Sequence, residues 1–278
     1  MEYGAAHVRY TDLLRYVDRN DVGALMMRTE SLDATSTSRA VPANNYMVGR
    51  YKRNLLRTSW LGATVTDRES STPGDYNRVY GSDAIFTFAR HFTTDAFFAK
   101  SDQPGKATWA WSANAKWDSD FFLLGMEYLS IDPNFRSDMA FIRRADYHRF
   151  GPQIAFRPRP KNNKVIRQLI FRYRTDYTMN TKNVLQTRVS HTAFEMRLQN
   201  GDLFGWVPHT RFDTFSAPFT NRAGVWLIPP GSYSWWNNGL RYTLNPSRRI
   251  SGQAINWAWH IGYYGGGTLH DKIGRAHV

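Results

Sequence analysis

The stretch NAKWDSDFFLLGMEYLSIDPNFRSDMAFIRRAD, residues 114–146, decides how the rest of the chain is read. An alternating run is followed by Asp-Ser-Asp, then by a second apolar run, then by a long segment studded with Arg, Asp and Pro. Two structures produce that order. One is an active-site loop carried on the strands of a soluble enzyme. The other is a hairpin of a membrane barrel with its outer loop. The two place half of the side chains in different solvents, so the period of the flanking sequence has to choose between them.

That period is two. In residues 107–117 the odd positions are Ala, Trp, Trp, Ala, Ala and Trp, and the even ones are Thr, Ala, Ser, Asn and Lys. Residues 168–177 set Leu169, Phe171, Tyr173 and Tyr177 against Gln168, Arg172, Arg174 and Asp176. Residues 236–244 oppose Asn238, Leu240, Tyr242 and Leu244 to Asn237, Gly239, Arg241 and Thr243. Residues 253–263 oppose Ile255, Trp257, Trp259, Ile261 and Tyr263 to Ala254, Asn256, Ala258, His260 and Gly262. A helix would not keep this alternation; strands with one apolar aromatic face and one polar face do.

The connections alternate as well. Tight turns are expected at 57–59, 90–92, 118–120, 200–202 and 246–249, the fourth being Asn-Gly-Asp. Longer polar connections are expected at 30–44, 69–76, 101–105, 131–146 and 213–232. LLRYVDRNDVGALMMRTES (13–31) echoes LLRTSWLGATVTDRES (55–70), so the hairpin is the repeated unit. Short turns alternating with long loops predict an all-β fold, an up-and-down antiparallel transmembrane β-barrel with about fourteen strands in this chain. The competing reading is a secreted carbohydrate-active enzyme or sugar-binding β-protein, in which the same aromatic faces pack as a core.

Composition is compatible with either. Of 278 residues 42% are hydrophobic and 15% aromatic, with 10 Trp and 15 Tyr. Mean hydropathy is −0.54 and no apolar run approaches the roughly 20 residues of a membrane helix. A barrel strand needs only about 9–11 residues, every second one apolar. Cys is absent, which removes disulfides and thiolate chemistry. The net charge of +13 is spread along the chain, as in Arg57, Arg90, Arg143, Arg172, Arg211 and Arg248. With no helix-turn-helix, zinc-finger or RNP-like motif, no nucleic-acid partner is expected.

Site chemistry reads mostly as structure. Asp118 with Asp120, and Asp132 with Asp138, are the acidic pairs that a glycosidase would need, but turn aspartates ordinarily hydrogen-bond their own backbone. Glu127 is opposed to Phe122, Leu124, Met126 and Tyr128, so it points to a polar interior and is expected to pair with an arginine. Eight scattered His offer no metal-ligand spacing, and Gly265-Gly266-Gly267 lacks the rest of a phosphate loop. No catalytic residue, metal or cofactor is expected. Trp109, Trp111, Trp117, Trp257 and Trp259 recur on apolar faces, as an interface girdle would. Lys116, Arg172, Arg174 and Arg241 fall on polar faces. They either make an electropositive lumen or pair with Asp83, Glu127 and Asp176 and fill it.

Several stretches together resemble a known family: 45–70, NRVYGSDAIFTF (77–88), DPNFRSDMAFIRRADYHRF (132–150), QNGDLF (199–204) and IPPGSYSWW (228–236). They resemble the barrel domain that follows a family-9-like carbohydrate-binding module in many bacterial envelope proteins. In that family's loop motif Asn134, Phe135, Phe141, Arg143 and Arg144 fit, whereas Arg136, Ser137 and Ala140 depart. The resemblance implies an outer-membrane barrel without established catalytic residues. Its implied partners are outer-membrane lipid, lipopolysaccharide and, through an N-terminal domain lying outside this chain, glycans. MEYGAAHVRY has no basic segment followed by an apolar one, and KIGRAHV (272–278) is what a common sequencing-library adapter yields on translation. The barrel domain is therefore expected over 1–271, cut at both ends, with a non-native tail; native-looking codons through the heptapeptide would sink that expectation.

Overall fold

A computed structural model describes residues 9–17, 19–34, 40–88, 90–220, 227–247, 249, 252–264 and 267–269; for 9–17, 219, 253–264 and 267–269 only the backbone course is given. The heptapeptide 272–278 and the Gly265-Gly266 pair lie outside the described residues, as do the side chains of Trp257 and Trp259. The described secondary structure is all β, and the strands of the main sheet follow one another in chain order except that a separate two-stranded ribbon, residues 219–220 and 227–228, is passed over.

Two compact units are present. The first contains β1 (Arg9–Val17), β2 (Asn20–Thr29), β3 (Asn44–Leu56), β4 (Ser59–Ser70), β5 (Tyr76–Phe88), β6 (Phe92–Gln103), most of β7 (Lys106–Asp118) and the segment Leu129–Tyr147. The second contains most of β8 (Phe122–Ile131) and β9 (Tyr147–Phe156), then β10 (Ile166–Met179), β11 (Leu185–Leu198), β12 (Leu203–Trp206) and β13 (His209–Phe215). A short ribbon of β14 (Phe219–Thr220) and β15 (Leu227–Ile228) follows, then β16 (Gly231–Thr243), β17 (Gln253–Tyr264) and β18 (Gly267–Leu269). β12 and β13 both pair with β11 and β16, so they are one strand interrupted at Val207 and Pro208. Proline has no N–H to give to the ladder, which is why the break falls there. Counted that way, β1 to β11, β12 with β13, β16 and β17 make fourteen long strands, matching the number read from the sequence.

The echoing segments are the hairpins β1–β2 and β3–β4. The Asn-Gly-Asp turn is also as expected: Gly201 has φ of 89°, the left-handed region where glycine carries no Cβ penalty. A Cβ there would meet Asn245 Nδ2 at 2.5 Å, because the Asn245 amide donates to the Asn200 carbonyl across the turn. One expected loop is absent. Residues 101–103 continue β6, and the turn is only Pro104-Gly105, with Gly105 at φ 72°. The strict alternation of short and long connections fails with it, since the expected short side also carries 157–165.

The faces are inverted relative to a water-soluble sheet. In the first unit Met47, Tyr51, Leu61, Val65, Tyr80, Phe98, Trp109 and Trp111 share one face and remain exposed. In the second, Phe156, Phe171, Phe194, Trp206 and Leu240 sit directly opposite one another on successive strands. Their rings form a ladder that begins at Phe121, with centroid spacings of 4.7 Å for Phe121–Phe156, 6.4 Å for Phe156–Phe171, 5.9 Å for Phe171–Phe194 and 5.4 Å for Phe194–Trp206. The Trp206 indole N–H donates to the buried Asn238 at 3.0 Å, so the one polar group of that row is satisfied. The buried apolar set, by contrast, is small: Val79, Ala99, Ala110, Phe135, Ala155, Ile170, Ala193 and Tyr233 among the described residues.

Candidate functional site

The polar faces carry the organised chemistry. In the second unit, alternation brings Glu127, Arg149, Arg174 and Asp176 together. Arg149 donates to Glu127, and Arg174 lies 3.5 Å from Glu127 and 3.2 Å from Asp176. Near the 119–121 turn, Arg157 bonds Asp118 and also the Ser119 carbonyl, at 2.6 Å for the latter, while Lys116 stands 3.9 Å from Asp118. A third group centres on Glu195, whose side chain is only 3% exposed and takes Arg172 and Arg241, each at 3.2 Å. Gly205 lies opposite Glu195, and a Cβ there would sit 2.8 Å from its Cγ, so the missing side chain is what lets the carboxylate fold down between its two arginines.

All four polar-face cations of interest, Lys116, Arg172, Arg174 and Arg241, thus stand within ion-pair reach of a carboxylate. Glu127 has the arginine partners expected of it. Asp83 is a correction: it is taken by Arg50 of β3, at 2.8 Å, with Thr64 beside it, and not by any of those four. Glu195, the most buried acid of the set, was not singled out in the sequence, although its alternation with Phe194 and Met196 carries the same signal that marked Glu127. Most of these pairs are half exposed, where an ion pair contributes about 0.2–1 kcal/mol.

The first unit carries the loop of residues 132–146. Asp132 closes its base: the Trp109 N–H donates to the Asp132 carboxylate at 3.0 Å, and the Asp132 N–H to the Trp109 carbonyl. From there the segment turns down onto the polar face of β4 to β7. Phe135 is buried on Val79, Ala99 and Ala110, with Ile131 and Ile142 beside it. Asn77 and Ser101, both fully buried, donate to the Arg136 carbonyl at 3.1 Å and 2.6 Å. Asn77 also accepts from the Asp138 N–H at 2.9 Å, and Gln103 donates to the Asn134 carbonyl at 2.9 Å. Asn134 itself has φ of 66°, a conformation asparagine tolerates better than most residues.

A charge cluster locks the same segment. Arg68, buried at the end of β4, donates to Asp75 at 2.5 Å and to Asn44 at 3.1 Å. Its Nε lies 2.5 Å from Asp138, at an angle off the hydrogen-bond line, and Asp138 also takes Arg136 at 2.5 Å. Sequence reasoning missed Arg68, Asn77 and Ser101. Their positions on polar strand faces were legible; their contact with residues 24 to 70 positions away was not. Of the loop-motif residues, Asn134 and Phe135 are structural, Phe141 stands 90% exposed, and Arg144 lies over the Tyr147 ring at 6.0 Å. Asp132 and Asp138 are committed to backbone and arginine. Asp118 pairs with Arg157, and Asp120 lies 3.6 Å from Arg159. The Asp-Ser-Asp turn is held by Ser119, whose hydroxyl and N–H both meet the Phe122 backbone.

The hydrogen bond from Arg68 holds the Asp75 carboxyl below its ordinary range. A depressed carboxylate pKa means that stability is present above the unfolded value, about 3.9, and is lost as pH falls through the lower folded value. Hydrogen exchange of amides 132–146, corrected for intrinsic rates, should therefore accelerate relative to strand amides on acidification below about pH 4. The Asp75→Asn variant should lack the part of that step due to Asp75, and an identical step in both proteins would refute the assignment.

Comparison of the chain with family models, with curated proteins and with solved structures finds no match.

Proposed function

We propose that this chain is part of a bacterial outer-membrane β-barrel, itself non-catalytic, whose full-length form passes solutes, captures glycans or assembles surface structures. The observation that carries the reading is the inversion of the sheet: its aromatic face is exposed and its polar face is laced with ion pairs and hydrogen bonds. In water that arrangement leaves the larger apolar area unburied, whereas in lipid every exposed ring gains a compatible solvent. Two shallow hollows on the apolar face support it, one bordered by Leu61, Phe98 and Trp111, the other by Phe171, Phe194, Trp206 and Leu240. Both have the chemistry of an acyl-chain contact. Lys100, 5.3 Å above the Trp109 ring on that face, offers a cation of the kind that a lipopolysaccharide phosphate would meet. The glycan-capture alternative rests on the sequence resemblance to a barrel domain that follows a carbohydrate-binding module, and such a module would be the part that binds the glycan.

The test is the folding of the full-length protein. Heat-modifiable migration and a requirement for detergent or lipid are expected; clean monomeric folding in plain buffer would overturn the proposal and favour a secreted sugar-binding or carbohydrate-active β-protein.

A further inference from the structure

The segment 132–146 does not stand away from the sheet. It lies on the polar face, seated by Phe135 on Val79, Ala99 and Ala110 and held by Arg68, Asn77, Ser101 and Gln103. In a barrel the polar face is the wall of the lumen, so a segment bound to it occupies lumen space. Its exposed part differs in charge from the strand walls. There Arg149, Arg172, Arg174 and Arg241 are paired with carboxylates, whereas Arg143 is exposed and, among the described residues, has no ion-pair partner. Phe141 beside it keeps its whole ring in solvent.

We propose that residues 132–146 form an inward-folded constriction of a solute pathway, with Arg143 and Phe141 meeting small anionic solutes that also carry an apolar or sugar-ring face. This rests on the barrel reading. The anchors make the constriction a fixed one: buried side chains hold the backbone on both sides of Arg136, so the exposed tip is presented from a rigid base. A free guanidinium in a narrowed, partly desolvated passage raises the local anion concentration, and the adjacent ring adds stacking area.

The chain has no Cys, so single cysteines are specific reporters. With the full-length protein folded in lipid vesicles, Phe141→Cys and Arg143→Cys should react readily with a small charged methanethiosulfonate. They should react about tenfold more slowly with a polymer-tethered maleimide too large for the lumen. Adding Asn77→Ala, Ser101→Ala and Phe135→Ala, which together remove the buried seat and two of the hydrogen-bonding anchors, should bring the two rates closer together. Equal rates with the anchors intact would place the tip outside the lumen and overturn the proposal. In planar bilayers Arg143→Gln should lower the anion-over-cation permeability ratio about threefold; an unchanged ratio, or no conductance from the folded protein, would overturn the solute pathway. Heat-modifiable migration of each variant is scored in parallel. Its absence in the unsubstituted protein counts against the barrel, its presence with failed labelling only against the constriction.

Discussion

Val65→Arg should lower the stability of the lipid-folded protein by about 2–4 kcal/mol, the cost of placing a charged side chain near the midplane on the lipid face of a barrel. Val65 lies near the middle of β4, between Gly49 and Tyr80 on neighbouring strands, and its side chain is on the exposed apolar face. With a relative exposure of 38% it makes no polar contact that the arginine would break. If that face met water, the same substitution would fall within about 0.5 kcal/mol, as surface changes usually do. Urea titration of vesicle-folded protein, read by tryptophan fluorescence or heat-modifiable migration, separates the two values. A shift near zero would remove the lipid assignment of the face.

The second large effect is expected at Glu195. Its carboxylate is buried, while its partners Arg172 and Arg241 are 52% and 36% exposed. Removing one member of a fully buried ion pair costs about 3–5 kcal/mol, because the other is left uncompensated. Here both guanidiniums reach solvent, so Glu195→Leu should cost about 2 kcal/mol. Glu195→Gln keeps an acceptor for one of the two arginines and should cost somewhat less than that. Combining Glu195→Leu with Arg241→Leu should recover part of the loss, since one unpaired cation goes with its partner. Equilibrium unfolding in lipid checks all three. Equal stability of Glu195→Leu and the parent would mean that the carboxylate is not the centre of the group.

Strand existence and facing were legible in the sequence because alternation is a local property. Residues 107–117 identified β7 to within a residue at each end, and the Asn-Gly-Asp turn and the two echoing hairpins appear where they were expected. The end of β6 was misread for a physical reason. Beyond the apolar band of a long strand both faces turn polar, so Ser101, Asp102 and Gln103 look like loop although their backbone is still paired. The partner of Asp83 was also beyond a sequence reading. Alternation assigns a face, and the ladder register that brings Arg50 across β4 to Asp83 is set by the turns between them. The segment 131–146 was legible as a long connection, yet its direction was not: nothing local in Asn134 and Phe135 says that it bends onto the sheet and not outward.

The small buried apolar set has a consequence for how such a chain folds. A water-soluble domain gains most of its driving force by collapse, when folding itself takes apolar side chains out of water. Here folding pairs the backbone and leaves the rings of Phe171, Phe194 and Trp206 substantially uncovered. On the barrel proposal, the free energy that ordinarily rewards compaction is instead released as the aromatic face enters lipid. Pairing and transfer are then one event, since a sheet completed in water would present its aromatic ladder to the nearest identical chain. On that proposal the residues that stabilise the protein in lipid are, before they reach it, its principal hazard.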